Sequence, residues 1–188
     1  EISMITGTSA GAIVGALFAN GVYPYEALTI FQKTKLFKFL RPAFRLPALL
    51  NLETAYPLFK TYLPHDSFEH LKIPLIVTAT NFNEGKLVYF SEGELIRKVL
   101  ASGCIPGVFS PILIEGKYHV DGGVLNNFPI EPLIRKFDVI IGSSCNHLPD
   151  TNKFRNIKHV LERTAILSIN HDMEEKMKSI DVLIEPKG

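Results

Sequence analysis

The sequence predicts an α/β protein of three layers, with a mainly parallel central sheet covered by helices on both faces. Residues 74–80 and 138–141 are continuous apolar runs of strand length, as is typical of strands buried on both faces. Runs with helical patterning alternate with these strands along the chain, which favours a parallel sheet with crossover helices. A chain of 188 residues is long enough to bury one sizeable core. We therefore predict a single domain over residues 1–188.

The first predicted elements surround a glycine-rich motif. Residues 2–5 predict a short apolar strand, and residues 10–20 predict a helix of mostly small and apolar side chains. A second helix is predicted over residues 25–33, after a break at Pro24. Residues 37–60 depart from regular patterning, because they mix large apolar side chains with prolines.

The middle of the chain predicts a hairpin followed by a helix. Residues 74–80 are a β-branched and apolar run that indicates a buried strand. The sequence Asn-Glu-Gly-Lys at residues 83–86 is typical of a hairpin turn, and it leads into a strand over residues 87–90. A helix over residues 94–101 follows.

The last third continues the alternation. Residues 112–120 predict a hairpin in which strands 112–114 and 118–120 pair around a Glu-Gly turn. The remaining predicted elements are a short helix over 130–135, an apolar strand over 138–141, a long amphipathic helix over 157–177 and a terminal strand over 182–184.

The composition excludes several classes of protein. A net charge of +1 gives no general attraction to nucleic acid, so no nucleic-acid partner is expected. Cys104 and Cys145 form no metal-ligand pattern and predict free thiols in a reducing compartment, and the six histidines lack metal-binding spacing. No apolar stretch is long enough to cross a bilayer, so we expect a cytoplasmic or peripheral membrane location.

The motif Gly7-Thr8-Ser9-Ala10-Gly11 is the most informative feature of the chain. It is a G-x-S-x-G sequence between a predicted strand and a predicted helix, the context of a nucleophile elbow. A serine on such a bend has a strained backbone, so small neighbours are expected at Gly7, Ala10 and Gly11. The helix N-terminus favours developing negative charge, and the backbone N–H of Ala10 is available as an oxyanion-hole donor. A small-residue helix face would leave the same pattern without a nucleophile.

A second motif closes the strand that ends near residue 120. Asp121 is followed by Gly122 and Gly123, which permit another segment or a substrate to pack closely against it. Catalytic groups of open α/β sheets gather at the carboxyl ends of the strands, where the Ser9 bend is also expected. Taken alone, Asp-Gly-Gly is also a common turn.

Three linked motifs resemble the patatin-like phospholipase family. They are G-T-S-A-G-A-I from Gly7, V-D-G-G-V-L-N-N-F-P around Asp121, and A-S-G-C-I-P-G-V-F-S-P over residues 101–111, close to A-S-x-A-I-P-x-x-F-x-P of that family. Cys104 stands where the family usually has a small residue. The resemblance implies a serine lipid acyl hydrolase, with Ser9 as nucleophile, Asp121 as general base, and phospholipids or other acyl-ester lipids as substrates. It implies no metal or organic cofactor, although the sequence leaves calcium dependence open.

A Ser–Asp dyad is chemically reasonable if the carboxyl group is buried. A carboxylate is a weaker base than imidazole, since reference pKa values of roughly 3.9 and 6.5 differ by about 3.5 kcal/mol. Burial would raise the pKa of Asp121 and narrow that gap. The Gly122-Gly123 backbone would allow the Ser9 hydroxyl to reach Asp121 directly, without an imidazole between them.

Three alternatives stay open from the sequence. A Ser–His–acid triad esterase is one of them, with His119 interpreted as a rim residue. Its possible members are Asp121 or Asp138 with His147, His159 or His171. The others are a non-catalytic lipid-binding module on the same scaffold, and an interaction domain in which both glycine motifs are plain turns.

The start of the chain bears on activity. The family places a G-G-x-R-G loop and a further strand ahead of the elbow, and this sequence begins at Glu1, only eight residues before Ser9. We expect the rest of the oxyanion hole to lie upstream of Glu1. Losing one oxyanion donor costs on the order of a hundred- to a thousandfold in rate, so the polypeptide as given is expected to be weak or inactive.

The segment 37–60 is a candidate cap or lipid-facing segment. Between Lys33 and Lys60, six basic residues stand against one acid, Glu53, among large apolar side chains, a combination suited to an anionic membrane interface. The six are Lys33, Lys35, Lys38, Arg41, Arg45 and Lys60. A cap that packs its apolar residues on the sheet explains the same composition.

Overall fold

The fold is described by a computed structural model. The structure describes residues 1–33, 41–42, 49–145, 156–170 and 172–185. It divides into two compact units, residues 1–129 and residues 130–188, and each is described here by itself. Helices flank a central sheet, so the predicted α/β class is confirmed. The prediction of one domain over the whole chain stays a prediction.

The first unit carries a five-stranded sheet and the helices that pack on it. Its elements, in chain order, are β1 (Ile5–Gly7), α1 (Ala10–Ala19), α2 (Pro24–Lys33), β2 (Arg41–Pro42), β3 (Leu50–Asn51), α3 (Tyr56–Tyr62), β4 (Leu75–Asn81), β5 (Lys86–Phe90), α4 (Ile96–Ser102), β6 (Ile112–Ile114) and β7 (Lys117–Asp121). Short 3₁₀ turns occupy Leu52–Ala55, Phe68–His70 and Gly122–Val124.

Strand β4 is the centre of this sheet. Strand β1 pairs with it in parallel and β7 in antiparallel fashion, while β5 forms an antiparallel hairpin with it and β6 extends the sheet beyond β7. Both predicted hairpins are therefore confirmed. Parallel pairing, which the sequence predicts to dominate, joins β1 to β4, and the two hairpins make the described sheet mixed.

Strands β1 and β7 meet end to end on one edge of β4. Val77 pairs with Gly7 of β1, and Ala79 pairs with Asp121 of β7, while β5 pairs with both of these β4 residues. Because β5 occupies one edge of β4, β1 and β7 must share the other. They run in opposite directions, so their carboxyl ends converge at Thr78, between the two paired positions.

The second unit contains a small parallel sheet and two helices. Its described elements are β8 (Ile141–Ser143), α5 (Ile157–Ile169), α6 (Met173–Met177) and β9 (Val182–Ile184), with β8 and β9 paired in parallel. Among the described residues of the whole chain, no helix has the length and apolar character needed to cross a membrane.

Four predicted elements differ from the structure, the first being the strand predicted over residues 2–5, which lies at Ile5–Gly7. Residues 130–135 form turns instead of a helix, and the φ of 64° at Arg135 leaves the helical region at the end of this segment. The long helix predicted over 157–177 is two helices, since the Asn170 side chain donates to the Ile166 carbonyl at 2.9 Å where α5 ends. The strand predicted over 138–141 lies at Ile141–Ser143 instead.

The end of the irregular segment 37–60 forms part of helix α3, which the sequence analysis did not predict. Pro57 lies in the first turn of α3, where its missing N–H costs nothing and its fixed φ favours a helix. Residues 34–40 and 43–48, which include much of the predicted lipid-facing segment, lie outside the described residues.

Helix α4 is buried along most of its length, as is strand β4. Its apolar residues belong to one core cluster with β4 and α1, including Val99, Leu100, Val77 and Ala16. The amino end of α4 is held by Asp66, which accepts the Ile96 N–H at 2.7 Å and the Tyr56 hydroxyl at 2.6 Å.

The Tyr56–Asp66 hydrogen bond also changes the titration of the phenol. It raises the pKa of Tyr56 to about 12, with burial and the Asp66 charge acting in the same direction. The carboxylate therefore stabilises the neutral phenol and the first turn of α4 at neutral pH.

Replacing Asp66 should loosen α4. We expect Asp66→Ala to lower the free energy of unfolding by about 1–3 kcal/mol, because two donors lose a charged acceptor. Urea unfolding measures the change, and Glu92→Ala, which removes an exposed carboxylate of the neighbouring loop, is the control. Equal effects of the two substitutions would contradict the bracing role of Asp66.

Candidate active site

Ser9 lies on a sharp bend between β1 and α1. Its φ of 54° and ψ of −122° are outside the regions that L-residues ordinarily occupy. Serine at a helix N-cap usually accepts a backbone N–H, yet the Ser9 side chain makes no capping hydrogen bond. The hydroxyl is therefore directed away from its own helix, as the nucleophile-elbow motif predicts.

Gly7 is required by the bend, and Gly11 is not. A Cβ at Gly7 would lie 2.7 Å from the carbonyl carbon of Gly11 and 2.8 Å from the Ala12 nitrogen, both backbone atoms. A Cβ at Gly11 would meet no atom within 4 Å among the described residues. The expectation that Gly11 must be small was therefore wrong, because that position faces solvent at the start of α1.

Asp121 is buried at the end of β7, with 6% of its surface exposed. Its carboxyl group accepts the Gly123 N–H at 2.7 Å, and the Ser9 side chain lies close enough to act on the pKa of that carboxyl group. Burial raises the pKa of Asp121, and the bonds from Ser9 and Gly123 lower it by less. The two residues singled out by the motifs, 112 positions apart, therefore meet in the fold.

The main chain of Asp121 is fixed on both sides. Its N–H donates to the Cys104 carbonyl at 2.9 Å, and its carbonyl accepts the Thr80 hydroxyl at 3.0 Å. Gly122 packs on Thr78 so closely that a Cβ there would lie 2.6 Å from the Thr78 carbonyl oxygen. The glycine after the aspartate is thus a packing requirement of the strand junction, as its sequence position suggested.

Buried threonines connect the two halves of the site. The Thr8 hydroxyl donates to the Asn126 carbonyl at 3.1 Å and is hydrogen-bonded to the Thr78 hydroxyl. Asn126 itself donates its backbone N–H to the Gly122 carbonyl at 2.8 Å. The elbow motif is therefore hydrogen-bonded to the loop that follows Asp121.

Ser102 is the site residue that the sequence did not single out. Its Oγ accepts the backbone N–H of Ser9 at 2.8 Å, from the last residue of α4. The only available signal was the A-S-x-A-I-P-like segment that begins at Ala101, which gives the position without a role. The contact joins residues 93 positions apart, so no local pattern reveals it.

The histidines give no support to a triad among the described residues. His119 was expected at the rim, but it is buried, packs edge-on against Phe90, and contacts the Lys117 carbonyl through Nδ1 at 3.0 Å. Burial lowers the pKa of its ring. His159 lies in α5 of the second unit, and His147 and His171 lie outside the described residues.

Two further features bear on chemistry. In the described chain, the backbone N–H of Ala10 donates to no protein acceptor, so it is open to a ligand at the start of α1. No group of three or more His, Cys, Asp or Glu side chains within the described ranges is arranged to hold a metal ion.

Comparison with known proteins identifies relatives of this chain. A family model described as patatin-like phospholipase matches residues 1–134. An "Uncharacterized NTE family protein" of Mycobacterium tuberculosis is 32% identical over 136 residues, covering 71% of this chain and 38% of that protein. A "Probable lipid hydrolase" of Invertebrate iridescent virus 6 is 30% identical over 166 residues, covering 72% and 54%. "Lysophospholipase NTE1" of Mycosarcoma maydis is 26% identical over 147 residues, covering 71% and 7%.

The chain therefore belongs to the patatin-like phospholipase family, as its three motifs predicted. It spans 38% of the mycobacterial relative and 54% of the viral one. The matched region, residues 1–134, contains the Ser9 bend, the whole five-stranded sheet and the Asp121 turn.

The two glycines offer a direct test of the site geometry. Gly122→Ala should lower the free energy of unfolding by about 1–3 kcal/mol, because the new methyl group collides with the Thr78 backbone. Gly11→Ala is the matched control. It should leave stability unchanged or raise it by up to about 1 kcal/mol, since alanine favours the helix. Urea unfolding of both variants decides the matter, and a reversed order would contradict the described packing.

Proposed function

We propose that this protein is a serine lipid acyl hydrolase that works through a Ser9–Asp121 dyad and an acyl-enzyme intermediate. The observation that carries the proposal is the convergence of two strand ends at Thr78: β1 leads into the Ser9 bend, and β7 ends at the buried Asp121 carboxyl group. A nucleophile and its base within hydrogen-bond reach are the geometric requirement of covalent catalysis. Membership of the patatin-like phospholipase family supports the same assignment.

Acylation begins with attack of Ser9 Oγ on the ester carbonyl carbon, as its proton passes to the Asp121 carboxylate. The carbonyl π electrons move to oxygen, and the Ala10 N–H donates to the resulting oxyanion. When the intermediate collapses, the C–O bond to the alcohol breaks and Asp121 returns its proton to the departing oxygen. Ser9 is left as an acyl ester.

Deacylation repeats these steps with water. Asp121 accepts a proton from water as the water oxygen attacks the acyl carbon. The second tetrahedral intermediate expels Ser9 Oγ, which regains its proton from Asp121. The net reaction consumes one ester and one water and yields an acid and an alcohol, with both side chains restored.

The environment of Asp121 suits a carboxylate that acts as a base. Burial raises its pKa towards that of a stronger base, while the Gly123 N–H and the Ser9 hydroxyl favour the ionised form. A group with an intermediate pKa both accepts a proton readily and remains ionised at neutral pH.

Exposed apolar side chains next to the dyad support a lipid substrate. Val124 and Leu125 follow the Asp121 turn, Ile105 follows Cys104, and Val108 lies in the same loop, all with more than a third of their surface exposed. Contact between acyl chains and these apolar side chains is favourable, because it removes apolar surface from water. The relatives named as lipid hydrolase and lysophospholipase agree with phospholipids or lysophospholipids as substrates.

Substitution of the dyad tests the proposal on the intact gene product. Ser9→Ala should abolish labelling by a fluorophosphonate probe and reduce lysophosphatidylcholine hydrolysis by at least about a thousandfold, because no nucleophile remains. Asp121→Asn should reduce hydrolysis on the same scale, because the amide cannot accept the proton. His119→Gln is the control and should retain turnover.

The opposite outcomes have distinct meanings. Loss of turnover in a folded His147→Gln, His159→Gln or His171→Gln protein would favour a triad. A wild-type protein that binds lysophosphatidylcholine vesicles without hydrolysis or labelling would instead indicate a non-catalytic lipid-binding module.

The pH dependence follows from the state of Asp121. The value of kcat/KM should fall as the pH is lowered through the pKa of this carboxyl group, because the protonated form cannot accept the Ser9 proton. Burial raises that pKa, so the decline should be centred above pH 3.8. A neutral ester substrate keeps the measurement free of substrate titration. Rates that stay constant down to pH 3.8 in a folded protein would contradict the assignment of Asp121 as base.

A further inference from the structure

One fully buried hydroxyl holds the backbone of the Ser9 bend. Ser102 has no exposed surface, and its Oγ is the acceptor of the Ser9 N–H at 2.8 Å. Among the described residues the Ser9 N–H has no backbone acceptor, although Ser9 lies between β1 and α1. In the described chain, the Ser102 hydroxyl is the hydrogen-bond acceptor of the Ser9 N–H.

The same stretch of chain holds Asp121. Two residues after Ser102, the Cys104 carbonyl accepts the Asp121 N–H at 2.9 Å, and the Cys104 N–H is itself bonded to the Ala101 carbonyl at 3.1 Å. Residues 101–104 therefore contact the backbones of both members of the dyad. Since α4 is buried along most of its length and held by Asp66 at its other end, this stretch has little freedom to move.

We propose that Ser102 is a positioning residue of the hydrolysis: by accepting the Ser9 N–H it sets where the Ser9 hydroxyl lies relative to the Asp121 carboxyl group. The inference rests on the proposed function. Ser102 acts through the backbone of Ser9, because its side chain is enclosed within the protein and does not reach the substrate side of the bend. Without its acceptor, the strained bend relaxes towards ordinary backbone angles and carries the hydroxyl away from the base.

The kinetic test removes the acceptor alone. Ser102→Ala should lower kcat for lysophosphatidylcholine by roughly a hundredfold, the scale of loss for a small misplacement of a reacting group, and leave KM unchanged. Ser102→Thr keeps a hydroxyl and should restore most of kcat. Ser110→Ala is the matched control, because Ser110 is also a buried serine, but its Oγ lies 3.4 Å from the Leu50 carbonyl.

The pH profile separates positioning from general damage. The bond from Ser9 lowers the pKa of Asp121, so displacement of the Ser9 hydroxyl should raise that pKa. The acidic decline of kcat/KM should then move to higher pH in Ser102→Ala and stay in place in Ser110→Ala. A loss of rate without this movement, or equal rates in the two variants, would overturn the proposal.

Amide hydrogen exchange of the peptide over residues 5–13 supplies a readout that needs no turnover. Exchange at this peptide should become faster in Ser102→Ala and stay unchanged in Ser110→Ala. A wild-type protein without esterase activity would overturn the proposed function, whereas unchanged exchange in Ser102→Ala would overturn the role of Ser102. If Ser102→Ala does not fold, Ser102→Cys replaces it, because its thiol fills the space but is a weak acceptor.

Discussion

The site depends on the junction of two strands at Thr78. Strand β1 arrives at this residue from one direction and β7 from the other, both along the same edge of β4. Ser9 lies two residues beyond the end of β1, and Asp121 is the last residue of β7. A shift of β7 by one residue would turn its side chains to the opposite face and separate the carboxyl group from the hydroxyl. The register on β4 is therefore the first condition for the Ser9–Asp121 contact.

The junction is kept by small residues and buried hydroxyls. The positive φ of Ser9 costs of order 1–3 kcal/mol in a non-glycine residue. The hydrogen bond to Ser102 offsets part of that cost, because it satisfies the Ser9 N–H at the bend, and the Thr8–Thr78 hydroxyl pair holds the neighbouring residue on β4. Gly122 lets the chain leave β7 directly against the Thr78 backbone. Strain at the bend is thus partly balanced within the same few residues that create it.

Local patterns predicted most of this arrangement, and long-range pairing accounts for the rest. The elbow, both hairpins and the aspartate turn follow from short sequence signals, because glycine, turn residues and alternation act over a few positions. The sequence argument placed Asp121 beside Ser9 through parallel strands that end on one side, whereas β7 is antiparallel to β4 and meets β1 head-on. That pairing, like the Ser102 contact, joins residues far apart in the chain. Helix α3 was not predicted, because Pro57 interrupts the apolar pattern, yet a proline in the first turn of a helix is tolerated.

When a carboxylate acts on the serine without a histidine between them, the protein must raise the basicity of that carboxylate. The reference pKa of imidazole lies close to neutral pH. A carboxylate in water is a weaker base than imidazole by about 3.5 kcal/mol. Burial of Asp121 reduces that deficit, but burial alone disfavours the ionised form. The bond from Gly123 supports the ionised form from a fixed backbone donor, which needs no reorganisation when the proton returns. His119, buried two residues earlier and turned to its own backbone neighbour, leaves Asp121 as the group that faces the Ser9 hydroxyl. The basicity of this site therefore comes from the balance between enclosure and one well-placed backbone N–H.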